Sequence, residues 1–277
     1  MSATRAPAPA ATVAATPAAT RTTSAGVDRR AMTVLSLCHM FTDIAQGSIP
    51  ALLPFLIARD HITIAAASAL VLAATISSSV IQPVFGHVSD RLSLAWLMPL
   101  GPALGGLGVA LVGFAPNYAL TFAAVLLSGL GVAAFHPEGS RFANYVSGAR
   151  RSSGMSLFSV GGNIGFAIGP ILMTPLVLAF GLHGTVFILI PTWGAAALLA
   201  LELPRLRGFR TDVVGGRVEK SGQHEAWGPF ALLATVIALR SFVYFGMVTF
   251  VPVYYLRVLE IPTPRWTTIQ AHESILL

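Results

Sequence analysis

Charge is scarce in this chain. Only 10% of its 277 residues are Asp, Glu, Lys or Arg, against roughly 25% in an ordinary soluble domain. That scarcity excludes a conventional solvated surface. Lysine is nearly missing, with sixteen Arg beside the single Lys220. Cysteine is confined to Cys38, so no internal disulfide and no Cys-based metal site can form. No basic patch interleaved with aromatics occurs, so the net charge of +6 does not point to nucleic acid. There is no HExxH and no evident nucleophile–base pair. No enzyme activity, cofactor or metal is therefore expected. Residues 1–28 have no apolar core, which excludes a secretory signal. They repeat Ala, Pro and Thr, and Pro7, Pro9 and Pro17 would interrupt an amphipathic helix. A disordered cytoplasmic tail is expected there.

Long apolar runs are abundant. Hydrophobic residues make up 55% of the chain, and roughly 20 in a row suffice for a helix to cross the ~30 Å hydrocarbon core. Candidate spans are 31–57, 64–85, 94–114, 119–138, 154–180, 184–201 and 229–256. The N-terminal side holds Arg5, Arg21, Arg29 and Arg30. The second gap holds Arg91, the fourth Arg141, Arg150 and Arg151, and the sixth Arg205, Arg207, Arg210, Arg217 and Lys220. The first, third and fifth gaps contribute only Arg59. The positive-inside rule therefore puts the N-terminus and the even-numbered gaps in the cytoplasm.

Polar residues inside such spans mark pathways or sites by default. Asp43 lies about a dozen residues into the first span, ~18 Å along a helix and so near the bilayer midplane. His39 is one turn before it and Gln46 follows at i+3, making a polar stripe. The stripe is either a protonatable site facing a cavity or a buried acid with a fixed partner. Arg240 is similarly deep in the seventh span. It is either a counter-ion for an acid or an anchor for an anionic substrate group. His136-Pro137-Glu138 is expected towards the cytoplasmic end of the fourth span. Glu138 is either a second protonatable group or the partner of Arg141. Gln82 and Asn163 are intramembrane amides, whose commoner role is a bond to a neighbouring helix. Gly161, Gly165 and Gly169 recur at four-residue spacing before Pro170, and Gly101, Gly105 and Gly108 form a similar set. Both sets predict close helix–helix approach.

These residues carry a resemblance. The chain resembles the major facilitator superfamily, and within it the fosmidomycin-resistance group of bacterial efflux proteins. The superfamily's gating motif appears as Gly86-His-Val-Ser-Asp90-Arg91, departing from it at Ser93, Leu94 and Ala95. The antiporter signature appears as Gly165-Phe-Ala-Ile-Gly169-Pro170, with Met173 in the region of its later glycine. The group-level match rests on His39, Asp43, Gln46-Gly-Ser-Ile-Pro50, Gln82-Pro83, Phe135-His136-Pro137-Glu138-Gly139-Ser140-Arg141 and Gly161-Gly162-Asn163.

The resemblance implies an all-α polytopic membrane protein. It has one six-helix half bundle plus a seventh helix, truncated relative to the twelve-helix fold. The expected organisation is a tail over 1–28, a bundle over 29–201, a cytoplasmic loop over 202–227, the first helix of a second bundle over 228–257 and an atypical tail over 258–277. A short internal echo supports two halves: Pro54 and Arg59 recur as Pro252 and Arg257 at one shared offset. After Pro262 the sequence loses its family-like character, as a frameshift or a truncated gene would produce. The implied function is proton-coupled export of a small molecule or antibiotic across the bacterial cytoplasmic membrane. Its partners are lipids, protons and the substrate. Asp43, His39 and Glu138 would couple protons. Gln46, His136, Asn163 and Arg240 would bind substrate. The alternatives are an inactive transporter fragment and a seven-span receptor.

Overall fold

With no water in the hydrocarbon core, every backbone N–H and C=O of a spanning segment must be satisfied internally, and helices do this. The computed structural model shows that outcome. It describes residues 26–92, 94–214 and 227–257, and among them there is no strand. Seven α-helices follow in order: α1 Arg29–Asp60, α2 Ile64–Leu92, α3 Leu97–Val112, α4 Tyr118–Val146, α5 Arg151–Phe180, α6 Leu189–Val214 and α7 Trp227–Arg257. A 3₁₀ segment, Gly181–Ile188, joins α5 to α6. By length and composition α1, α2, α4 and α7 can each cross a membrane, and Arg151–Phe209 forms one continuous apolar run through α5 and α6. Helix α3 is shorter, with 16 residues.

Local chemistry sets the ends. The Asp28 carboxylate accepts the Ala31 N–H at 2.8 Å and caps α1, while Asp28 N–H donates to the Val146 carbonyl at 2.9 Å. The cap of α1 thus lies at Asp28, inside the predicted tail, and residues 1–25 lie outside the described residues. Asn117 caps α4 in the same way, accepting from Leu120 N–H. At the other end α1 stops at His61, whose φ of 50° is left-handed.

Helices α2, α4 and α6 run well past their predicted ends, α2 as far as Leu92. Helix α4 continues to Val146, because Phe142, Ala143 and Val146 keep a buried apolar face beyond Glu138. Helix α6 continues to Val214, through the first part of the predicted 202–227 loop, with Leu206 fully buried. Its arginines are compatible with this, since Arg stems pack along apolar surface while the heads reach water.

Helix α1 is the centre of the bundle, touching α2, α3, α4, α5 and α6. Its contact with α5 is the most extensive, and glycine makes it so. A Cβ on Gly161 would stand 2.3 Å from the Ser36 carbonyl oxygen, one on Gly165 2.0 Å from that of Met40, and one on Gly169 2.6 Å from the Gly47 carbonyl carbon. Only bare backbone fits there. The predicted antiporter residues Gly165, Gly169 and Pro170 are accordingly buried along this seam. Gly101 and Gly108 bring α3 equally close to α4, as their spacing predicts.

Two apolar clusters fill the bundle. One gathers Met32, Leu35, Phe135, Phe142, Phe158 and Leu206 towards the α1 N-terminus. The other gathers Leu52, Leu53, Leu56, Leu70, Val109 and Val177 towards its C-terminus. On α1 they meet between Cys38 and Ile44. Large apolar side chains such as Ile76 and Val80 on α2, and Leu157 and Ile164 on α5, point outwards. Patches of this kind suit lipid or a second protein surface. Helix α7 is exposed over most of its length and meets α1, with Tyr244 against Phe166 at 5.8 Å between ring centroids.

Candidate functional site

The interval between the two apolar clusters holds the polar residues of α1. Asp43 and His39 are both buried there, one helical turn apart. His39 Nε2 lies 3.3 Å from Asp43 Oδ2. Helix α4 adds a third member: His136 Nε2 lies 3.4 Å from Asp43 Oδ1 and 3.1 Å from His39 Nε2. By its spacing His136 is expected towards the end of its span, and by the resemblance it is expected among the substrate-binding residues. The longer α4 instead sets it level with Asp43, and the structure brings it together with His39.

The outer nitrogens of both rings are fixed. His39 Nδ1 is 2.8 Å from the Phe158 carbonyl oxygen, and His136 Nδ1 is 2.9 Å from that of Val132. A carbonyl oxygen only accepts, so each Nδ1 carries a proton and donates it. A neutral imidazole has one proton, so each Nε2 then presents a lone pair. Two lone pairs and a carboxylate converge within hydrogen-bonding distance. Such a group is stable only with positive charge in its midst, either a proton on an Nε2 or a metal cation.

The surroundings hold this arrangement in place. The His39 ring stacks on Phe158 at 4.1 Å and 20°, and Phe135 lies at 5.8 Å. Gly162 on α5 faces the cluster. A Cβ there would stand 2.6 Å from His39 Nε2 and 2.7 Å from Asp43 Oδ2. His136 is the most accessible member, with 22% of its side chain exposed. It borders an open groove of about 460 Å³ that Ser79, Gln82, Pro83 and Ser140 also line.

The remaining predicted residues are dispersed. Gln46 is half-buried on α1, and Asn163 is exposed on α5 next to Gly162. Arg240 is exposed on α7 beside Leu239, Val243 and Tyr244; the partners of Asp43 are the two histidines. Glu138 is fully buried and takes Arg141 as its partner at 2.9 Å, the second of its two predicted roles. Arg141 also donates to the Gly86 carbonyl at 3.3 Å, joining α4 to the first residue of the predicted gating motif. Asp90 and Arg91 end α2, and their side chains lie outside the described residues.

The depth of His136, level with Asp43, is what sequence reasoning missed. The signal for it was the apolar spacing Phe142, Ala143, Val146, which lengthens α4 and deepens His136.

Known proteins give this arrangement a context. Of solved structures, a bacterial homolog to the human lysosomal transporter Spinster, inward-facing and unoccupied, superposes with a TM-score of 0.70 at 14% identity, over 89% of this chain and 59% of that one. A POT family transporter in complex with 5-aminolevulinic acid gives 0.54 at 17% identity, over 84% and 54%. At these identities the likeness speaks to fold. Closer in sequence are the uncharacterized MFS-type transporter YfnC of Bacillus subtilis, 31% identical over 69% of this chain, and the fosmidomycin resistance protein of Escherichia coli, 32% identical over 66%. The chain spans less than half of either relative, 46% and 44%. The Major Facilitator Superfamily profile matches residues 35–271, past Pro262 and into residues outside those described. Profile, relatives and helical architecture agree that the chain belongs to the Major Facilitator Superfamily, a family of membrane transporters rather than enzymes.

Proposed function

We propose that this chain forms the first bundle, and the first helix of the second, of a proton-coupled efflux transporter in the bacterial cytoplasmic membrane. The N-terminus faces the cytoplasm. The exported cargo is a small molecule, with anionic antibiotics of the fosmidomycin kind as the leading class. The resemblance to the fosmidomycin resistance protein supports that class.

One observation carries the coupling. A carboxylate and two imidazoles meet between α1 and α4, and one of the imidazoles borders an open groove. Positive charge gained or lost there changes the charge of a buried polar part of the bundle. In a two-bundle transporter this is the depth at which cargo and coupling ion bind. Gln46, Gln82, Asn163 and Arg240 supply hydrogen-bonding groups from α1, α2, α5 and α7 for a polar cargo, and Arg240 offers a guanidinium to an anion.

Cells expressing the protein that carries this chain should accumulate less labelled fosmidomycin than control cells, and a protonophore should remove the difference. Asp43→Asn keeps the shape of the side chain and removes its charge, and export should cease at unchanged expression. Export that continues in this variant rejects the assignment of Asp43. Orientation is tested separately, with single cysteines introduced into a Cys38→Ala background. A residue in the 202–227 segment should resist an impermeant thiol reagent in intact cells.

A further inference from the structure

We propose that His39, His136 and Asp43 form a binding site for a divalent first-row transition metal ion of the zinc class. The proposal uses the same three side chains as the transport reading, but it requires neither transport nor a proton gradient. No Cys contributes to it. The sequence hides it as well, because His136 is far along the chain from its partners.

The geometry is the first argument. Tetrahedral ligands about 2.0–2.1 Å from a zinc ion stand roughly 3.3–3.4 Å from one another. The closest separations here are 3.1 Å between the two Nε2 atoms, 3.3 Å from His39 to the carboxylate and 3.4 Å from His136 to it. The two imidazoles face different carboxylate oxygens, so Asp43 can bind through either oxygen or both. With one atom taken from each residue, all three lie within 4.8 Å of one another.

The outer shell is the second argument. Histidines that bind metal donate their other ring nitrogen to a carbonyl or carboxylate, which fixes the tautomer and aims the lone pair. Phe158 and Val132 supply both carbonyls. Each Nε2 therefore presents the lone pair that a metal needs, already aimed at the shared centre. Asp43 Oδ1 is buried and has no hydrogen bond of its own, so it is an acceptor in want of a cation.

Room and selectivity complete the case. Gly162 lets His39 and Asp43 pack directly against the α5 backbone, where any larger residue would clash with both. The groove at His136 allows a fourth ligand such as water. Two imidazoles and one carboxylate suit Zn²⁺, Co²⁺ or Ni²⁺, whereas Mg²⁺ and Ca²⁺ prefer all-oxygen sites.

The test is made on the purified full chain, stripped of metal and held in detergent or nanodiscs. Titration with Co²⁺ should produce the intense visible bands of a tetrahedral ion and saturate at one ion per chain, and Zn²⁺ should displace it. Changing even an outer-shell partner typically costs about 10–100-fold in metal affinity. Removing a ligand, in His136→Gln or His39→Gln, should therefore weaken Co²⁺ binding by at least about 10-fold. His136 is part-exposed, so His136→Gln serves as the deciding variant if His39→Gln fails to fold. Mg²⁺ at the same concentration should leave the spectrum unchanged. If folded wild-type protein gives no Co²⁺ bands, the proposal is wrong and a proton alone reconciles the cluster. Undiminished binding in His136→Gln overturns it as well, since the ion then sits on another histidine such as His61, His87 or His183. Neither result bears on export by the Asp43→Asn variant, so this proposal and the transport reading fail separately.

Discussion

Helix α1 has two very different contacts. Against α5 it meets Gly161, Gly165 and Gly169, backbone on backbone. Against α4 it meets His136 through His39 and Asp43, a polar cluster that needs a cation. The three glycines have no side chain that can change charge, and among the described residues α5 reaches the cluster only through Phe158 and Gly162. The second contact consists almost wholly of side chains that can. Under the proposed function, a helix held by glycine on one side and bearing the cluster on the other would transmit an event at Asp43 to the bundle as a unit. That is what a transporter that moves whole bundles requires.

The sharpest way to break this contrast is to put a side chain into the locked seam. Gly165→Leu inserts four carbons where even a Cβ would stand 2.0 Å from the Met40 carbonyl oxygen. Backbone cannot rotate away as a side chain can, so α1 and α5 must separate along their length. Overpacking into a well-packed core costs about 1–3 kcal/mol when side chains absorb it, and here they cannot. The expected outcome is loss of folded protein, seen as aggregation on size-exclusion chromatography after detergent extraction. A variant that elutes like wild type would show that the seam opens freely and would end the contrast.

The seam was legible in the sequence and the cluster only half so. Glycines at four-residue spacing on an apolar helix have few other readings, and Gly161, Gly165 and Gly169 all meet α1 as expected. The His39–Asp43 pair was legible too, because i,i+4 spacing fixes a shared face whatever the fold. His136 was not. Its place depends on how far α4 extends and on how it docks beside α1, and both are tertiary facts. Pro137 misled in the same direction, since a proline suggests the end of a helix, yet α4 carries it in its interior. Glu138 and Arg141 could pair by spacing alone, but only the fold shows that Arg141 also reaches the Gly86 carbonyl on α2. Arg240 resembled a counter-ion in sequence. Two imidazoles already occupy the places around Asp43 that such a counter-ion would take.

A second test separates structural charge from responsive charge. Glu138 is fully buried and Arg141 is 16% exposed. Arg141→Ala removes a guanidinium 2.9 Å from that carboxylate, and breaking a buried pair from one side costs about 3–5 kcal/mol. The variant should unfold at a markedly lower temperature. Adding Glu138→Gln removes the buried charge and should recover part of the loss. An Arg141→Ala protein as stable as wild type would mean that Glu138 is not held by its pairing with Arg141. It would then return as a candidate for the responsive set.

The smallest effect is expected where the bundle meets α7. Within α1–α6 the large residues of two clusters are sealed from solvent, whereas α7 turns Phe230, Leu232, Leu239 and Phe242 outwards. Among its described contacts with the bundle is the ring of Tyr244 against Phe166. An aromatic pair contributes about 0.5–1.5 kcal/mol beyond area burial, and Tyr244 is only half-buried. Tyr244→Ala should therefore lower the thermal midpoint slightly, by much less than Arg141→Ala does. A double-mutant cycle with Phe166→Ala isolates the pair, because Phe166 also packs within the bundle and its single variant will cost more. A coupling of about 1 kcal/mol or less is the expected result. A coupling as large as the cost of breaking the Glu138–Arg141 pair would mean that α7 is built into the bundle as firmly as α5. The six-plus-one division of the chain would then fail, however well the exposed face of α7 suits a second bundle.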